Sequence, residues 1–462
     1  MADTPWRGDA VALVDAFRSG ERSPVEELEA TLAEVESSKL NAICHLDAEA
    51  ALAAAKDADV NLPFGGVPMA VKLGTGVAGW PASEASIPLA DLVHGHDATM
   101  VSRLRAGGSV LFGQSTMSEF AGLNQTRTKL HGATRNPWNL ERTPGGSSGG
   151  ASALVAGGHC TVATGGDGGG SIRIPAAFCG LPGLKTTYGR IPKGPHGHHG
   201  NLTAVAGCLS RSVRDIARYL DVTSGHDHRD PFSLPRVEGW ERDLGTGDHT
   251  GLRVVVSPDL GRAVVHPAVV ELVRAHAELL IASAGLRRVD LDVRVPTGSF
   301  EWALGGMARI RDQLGERWPA CASELTPAIR FGIELAEGSF DLAIQARIER
   351  QRTVNTETMA ALFDEADLII SATTPDVAFV ADGPFPTEVG GVDVELSNQG
   401  ALTIPANFYG NPSISIPIGT HEGLPVGMQV MAPHFREDVL LDLALTVERE
   451  RPWPLVAPGA PT

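Results

Sequence analysis

Two serine-bearing glycine clusters lie close together in this chain, and one lysine sits inside an apolar run well before them. Residues 143–185 read TPGGSSGG, then a small-residue run, then GGDGGGSIRIPAAFCGLPGLK. Glycine at this density lets a backbone turn sharply and bring its N–H groups close to a ligand. Ser147 and Ser171 are therefore candidate reactive hydroxyls for acyl transfer. A free hydroxyl is a weak nucleophile and needs a base. Lys72, in the run FGGVPMAVKL, reads either as a solvated edge residue or as that base. Burial would disfavour its ammonium form and lower its pKa from the usual value of about 10.4. The amides of Gly168, Gly169, Gly170 and Ser171 could converge on a developing oxyanion, where each donor contributes roughly 3–4 kcal/mol.

Other chemistries fit these residues less well. Gly146 to Gly150 matches G-x-S-x-G with Ser148 as nucleophile, but that elbow needs a strand directly before the turn. The preceding NPWNLERTPG is a poor strand. No G-x-x-x-x-G-K-[ST] occurs, so the glycines do not read as a phosphate cradle. His196, His198 and His199 fall in a Gly/Pro-rich stretch with no clear carboxylate partner, which suits a solvated or substrate-facing loop rather than a metal site. The five cysteines are scattered and never form C-x-x-C, which argues against a disulfide framework and against zinc. Cys179, near the second cluster, reads as a small buried residue.

Elements must place these groups. Ser23-Pro24-Val25-Glu26 has the residues of a capping box, and helices are expected over about 24–37 and 46–58. Residues 64–73 read as a largely buried strand carrying Lys72. A helix over 97–107 and a strand over 109–113 follow, and CTVAT before the second cluster is strand-like. Further on, helices are expected over 210–220 and 266–284, and strands over 252–257 and 288–293. Residues 296–366 read as mostly helical, with Leu342, Ile344 and Ile348 as periodic apolar positions, covering the site. A buried strand at 367–371, a strand holding Ile414 and Ile416, a turn at Gly423-Leu424-Pro425 and a last helix from about Glu437 complete the chain. Helix–strand alternation with short links is the pattern of an α/β protein with a mostly parallel sheet.

The long paired motif resembles the amidase signature family of serine hydrolases. GVPMAVK is similar to the family's lysine strand, HGATRNPWNLERTPGG to its approach segment, and ANFYGNPSISIPIG with GLPVGMQVM to its C-terminal sheet. The likeness runs in blocks from about residue 20 to 450. Lys72 and Ser147 are 75 positions apart, and Ser147 and Ser171 are 24 apart, as in the family's Lys/cis-Ser/Ser triad. The resemblance implies Ser171 as nucleophile, Ser147 as bridging serine at a cis peptide, Lys72 as base, and Gly168, Gly169 and Gly170 as the oxyanion hole. It implies a large, mixed, mostly parallel central sheet covered by helices on both faces. A single domain over 1–462 is expected: N-terminal helices at 1–60, the catalytic core at 61–295, a helical pocket segment at 296–366, and the rest of the sheet with the last helix at 367–462. Ala121, Gly122 and Leu123 are expected at the substrate. The chain departs from the usual pattern at Leu73, Gly166, Gly168 and Thr186, and Asp167 is expected to pair with Arg173.

The activity so implied is hydrolysis of an amide, or of a carbamate (urethane) or ester, with no metal or organic cofactor. The GDGGGSIR variant is similar to that of some oligoamide hydrolases in the family. Two alternatives stand beside it: the glutaminase (A) subunit of a tRNA-dependent amidotransferase, against which Gly166, Gly168 and Ile174 count, and a non-catalytic binding protein that keeps the fold. A formal charge of −17 is a poor match for a phosphate backbone, so the expected partner is a small-molecule amide or carbamate, not nucleic acid. No apolar run approaches the roughly 18 residues of a membrane helix, and the N-terminus lacks a signal-peptide pattern. A cytoplasmic monomer or homodimer is the expectation.

Overall fold

The computed structural model describes residues 4–195, 197 and 202–460; His196, His198 and His199 lie outside them. The first helix, α1 (Ala10–Ser19), starts on an Asp9 cap. In α2 (Pro24–Ser37) the Ser23 hydroxyl accepts from Glu26 N–H while the Glu26 carboxylate accepts from Ser23 N–H, so the capping box is closed. Next come β1 (Ile43–Leu46), α3 (Ala48–Lys56), β2 (Pro68–Lys72), α4 (Thr99–Ala106) and β3 (Val110–Ser115). A short hairpin of β4 (Arg127–Thr128) and β5 (Gly132–Ala133) leads to α5 (Gly149–Ala156), β6 (Val162–Asp167), α6 (Arg173–Cys179), β7 (Gly183–Lys185), β8 (Val205–Ser210) and α7 (Val213–Thr223). The second half holds β9 (Arg253–Val256), α8 (Pro267–Ser283), β10 (Arg287–Arg288), α9 (Ser299–Leu314), α10 (Pro327–Ser339), α11 (Leu342–Glu365) and β11 (Leu368–Ala372). It ends with a hairpin of β12 (Glu388–Val389) and β13 (Val392–Asp393), then α12 (Ile404–Tyr409), β14 (Ser413–His421), β15 (Leu424–Met431) and α13 (Glu437–Glu450).

The strands form an α/β fold of two large mixed sheets. One has the order β1-β3-β2-β6-β8 and the other β10-β9-β11-β15-β14-β7, with β7 packed against β8. Pairing is parallel through β3-β2-β6 and through β10-β9-β11, and antiparallel in the other ladders of both sheets. The parallel share is smaller than the helix–strand alternation suggests. β14 returns directly into β15 through a two-residue turn at Glu422 and Gly423, and such a turn makes neighbours antiparallel.

Alternation along the buried strands builds a core on each face. Met69 and Val71 of β2 belong to one apolar cluster with Leu13 and Phe17 of α1 and Ile216 and Leu220 of α7. Ala70, between them, packs with Leu28 of α2 and Leu154 of α5. Phe112 of β3 joins that second cluster. Because both faces of β2 are covered, the lysine at its end is carried into the interior.

Several sequence expectations are corrected. The strand expected over 288–293 is reduced to the Arg287–Arg288 pair beside β9; Val289 N–H still donates to Val254 O at 2.9 Å, and 290–293 lie outside any strand. Leu424 and Pro425 belong to β15, not to the turn before it. Leu342 is not a packing position. It is 90% exposed, while Ile344 and Ile348 pack against the cluster built by α9 and α10. Helix α1 falls within the N-terminal helices expected over 1–60 without a range of its own, and strand β8 is not among the expected elements.

These burials predict a contrast in equilibrium denaturant unfolding. Phe112→Ala should cost about 3–5 kcal/mol, from lost apolar contact plus the cavity left behind. Leu342→Ala should change stability by no more than about 0.5 kcal/mol.

Candidate active site

Lys72 ends β2, 5% exposed, its backbone N–H donating to Thr164 Oγ1 on β6 at 2.8 Å. Its Nζ donates to Ser147 Oγ at 2.7 Å and to Ser148 Oγ at 2.9 Å. Burial pulls the amine down to about 8, against the opposing pull of the Asp167 and Glu84 charges. Ser147 is buried just before α5, and the Gly146–Ser147 peptide is cis. Ser171, half-buried ahead of α6, lines the same cavity of about 550 Å³ as Lys72 and Ser147. No strand leads into Ser147-Ser148, so the elbow reading has no structural basis. Ser148 instead bridges Lys72 to the backbone of Gly166 on β6.

The loop between β6 and α6 is fixed by what holds its carbonyls. In a planar trans peptide, anchoring one carbonyl aims the next N–H the opposite way. Asp167 O accepts from Asn407 Nδ2 at 3.0 Å, Gly168 O from Trp302 Nε1 at 2.7 Å, and Gly170 O from Ile174 N–H at 2.7 Å. The N–H groups thereby oriented belong to Gly168, Gly169 and Ser171. None of the three has a partner among the described residues, and all three residues line the cavity. Gly170 differs from the sequence expectation. Its N–H donates to Asp167 Oδ1 at 2.8 Å, and it does not line the cavity. Its φ of +124° and the 2.5 Å approach of Thr403 Oγ1 to where a Cβ would stand leave room only for glycine. At Gly169 the Trp302 ring lies 2.8 Å from that same position. A Cβ at Gly168 would meet Ala204 Cβ at 3.3 Å and one at Gly166 would meet Val205 O at 3.4 Å, closer to ordinary contact than at Gly169 or Gly170.

Beneath the loop lies a buried polar network. Arg173, with no exposure, donates from Nε and Nη2 to the two Asp167 oxygens at 2.9 Å each, as expected from the sequence. It also donates to Gln429 Oε1 at 2.7 Å and Asn407 Oδ1 at 2.6 Å. Burial alone would raise the Asp167 carboxyl. The charge and hydrogen bonds of Arg173, the Asn407 bond and the Lys185 charge outweigh it and hold the group well below the usual carboxylate range. Lys185 is buried on β7 with its Nζ donating to Thr186 O at 2.9 Å; burial and then Arg173 bring its amine down to about 7. Asn407, Gln429, Trp302 and Thr403 were missed as site residues, although ANFYG and GMQVM were noted as motifs. Their long separation from the loop hides the contact.

Ala121 and Gly122 line the cavity, whereas Leu123 turns to the apolar cluster of α9 and α10. Within the helical 296–366 segment, α9 supplies all the lining residues, among them Trp302, Gly306, Met307 and Arg309. Phe120, Ala121 and Glu84 have positive φ, an uncommon backbone for non-glycine residues that shapes this wall. Cys179 is buried, its thiol pushed up to about 12 by burial, which fits the small packing role read from the sequence. Among the described residues one group has metal-ligand spacing, His266, Asp376 and His421, and none of the three lines the cavity.

A family model described as Amidase matches residues 26–441. The chain is 33% identical to the A-type subunit of a glutamyl-tRNA(Gln) amidotransferase from Salinispora tropica, over 95% of this chain and 96% of that protein. The structure superposes on a bacterial aryl acylamidase of the amidase signature family with a TM-score of 0.91 at 27% identity, covering 99% of each chain. The A-type subunit of the Thermotoga maritima glutamyl-tRNA(Gln) amidotransferase gives 0.70 at 26% identity, covering 92% of this chain and 95% of that one.

The buried pair yields a test by denaturant unfolding. Arg173→Met strands the Asp167 carboxylate and should destabilise the fold by about 3–5 kcal/mol. Adding Asp167→Asn to it should recover part of that loss.

Proposed function

Since this chain belongs to the Amidase family of amide-bond hydrolases, we propose that it works alone on small amides through Lys72, Ser147 and Ser171. The carrying observation is the 2.7 Å contact between the buried Lys72 amine and Ser147 in the cavity that Ser171 lines. With the amine neutral, the same contact lets Ser147 donate to Nζ. Ser147 then takes the Ser171 proton as Ser171 Oγ attacks the acyl carbon. The amides of Gly168, Gly169 and Ser171 receive the negative charge on the carbonyl oxygen, each contributing roughly 3–4 kcal/mol. The proton returns along the serines to the departing amine, and water then releases the acyl group from Ser171. Carbamates and esters present the same acyl carbon and fit the same steps. The close superposition on an aryl acylamidase supports a small amide as substrate.

A second reading has the stronger support from sequence. Several curated relatives at 32–34% identity are the A-type subunits of glutamyl-tRNA(Gln) amidotransferases. Under that reading the substrate is glutamine, and the chain acts with partner subunits and tRNA. The expectation of a small-molecule partner without nucleic acid holds only under the first reading. The purified chain separates the two. Release of 4-nitroaniline from 4-nitroacetanilide by the chain alone supports the first. Ammonia released from glutamine alone, and only when partner subunits are added, supports the second.

Neutral Lys72 is the working form, so kcat/KM should rise with pH through an apparent pKa of about 8 and level off above it. Lys72→Ala should lose about 10²- to 10⁴-fold and with it this dependence. A flat profile from acid to alkaline pH would remove the lysine-base mechanism.

A further inference from the structure

Lys72 and Asp167 are accounted for, but five other titratable residues line the cavity: Glu84, His94, His96, Lys193 and Arg309. Arg309 stands apart. It is half-buried on α9 and makes no hydrogen bond or ion pair with any described residue. Glu84 is near enough for Arg309 to act on its carboxyl, yet no ion pair joins them; burial raises that carboxyl, and the Arg309 and Lys72 charges oppose the rise. Lys193 lies over the Tyr188 ring at 4.9 Å. Burial brings its amine down to about 8, Asp230 opposing and Arg309 adding to the fall, so two like charges face one end of the cavity.

Helix geometry sets the distance. Trp302, Gly306, Arg309 and Gln313 lie on one face of α9 and all line the cavity. Trp302 touches the loop that would hold the oxyanion. Arg309 is two turns further on, about 10 Å along the axis, and a helical side chain leans back toward the N-terminus. A substrate filling the cavity displaces water from the guanidinium. A neutral substrate gives nothing in return, whereas a carboxylate restores two charge-assisted hydrogen bonds in a planar fork.

Resting on the amide-hydrolase reading, we propose that Arg309 forms a carboxylate subsite, so that the substrate class is amides bearing a carboxylate group several bonds from the scissile carbonyl. Glu84 and Lys193 flank that subsite, and the fork of Arg309 sets its orientation.

The test uses pairs of 4-nitroanilides in which an ω-carboxyacyl chain (succinyl, adipoyl, suberoyl) is matched with an alkanoyl chain of equal length, and a parallel set of N-acetyl ω-amino acids matched with N-acetyl alkylamines. In at least one set the carboxylate member should be favoured about 10- to 100-fold in kcat/KM, the worth of a hydrogen bond to a charged group. The preference should peak at one chain length and shrink with added salt. Arg309→Met should bring the ratio toward unity, and Arg309→Glu should invert it toward ammonium-bearing amides. Equal cleavage of both members at every length overturns the subsite while leaving amide hydrolysis standing. A preference that survives in Arg309→Met overturns the assignment to Arg309. No cleavage of any member, together with no fluorophosphonate labelling of Ser171, overturns both the hydrolase reading and the subsite.

Discussion

A carboxylate and a guanidinium, both closed off from solvent, hold this architecture together at its centre. Asp167 closes β6 and Arg173 opens α6, and the loop they bracket carries Ser171 and the three oriented amides. Two charges out of water need every lone pair and proton satisfied. The chain meets that demand from far away: Asn407 on α12 bonds to both members, and Gln429 on β15 bonds to Arg173. Gln429 reaches on to Ser371 on β11, and Ser413 on β14 reaches back to it. One desolvated ion pair thus ties the first sheet to the second. The loop before α6 is held by both sheets at once.

Desolvation disfavours both of the buried charges beside the cavity, yet the outcome differs between them. At Asp167 strong partners overcome burial and keep the carboxylate ionised as a fixed structural anion. At Lys72 burial wins, because Asp167 and Glu84 act on it without forming an ion pair, and the amine moves toward neutrality. The same interior stabilises a permanent charge at one position and a removable proton at the other. The difference lies in the number and geometry of contacts, not in depth.

What could be read from the sequence follows from how local the controlling interaction is. The capping box at Ser23 and Glu26 is a contact over three residues, and it was legible. Lys72 was legible as a candidate because a charge inside an apolar strand breaks its pattern, and the paired glycine motif pointed to both serines. Trp302 and Thr403 gave no such signal. Their roles exist only once α9 and the turn before α12 arrive over Gly168 and Gly169. Gly170 looked like its neighbours in a glycine run, and only the Asp167 carboxylate distinguishes its amide. Leu342 looked periodic, but periodicity cannot tell a packed face from one that the fold leaves in water.

Ser148 gives Lys72 a second hydrogen-bond partner, one outside the proposed proton path. Its hydroxyl accepts from Lys72 and is itself fastened to Gly166. The amine is therefore held from a second side, independently of its contact with Ser147. In the proposed relay the terminal acceptor would thus be located from outside the relay. Under the proposed mechanism the proton would cross 2.7 Å to an atom already held in place.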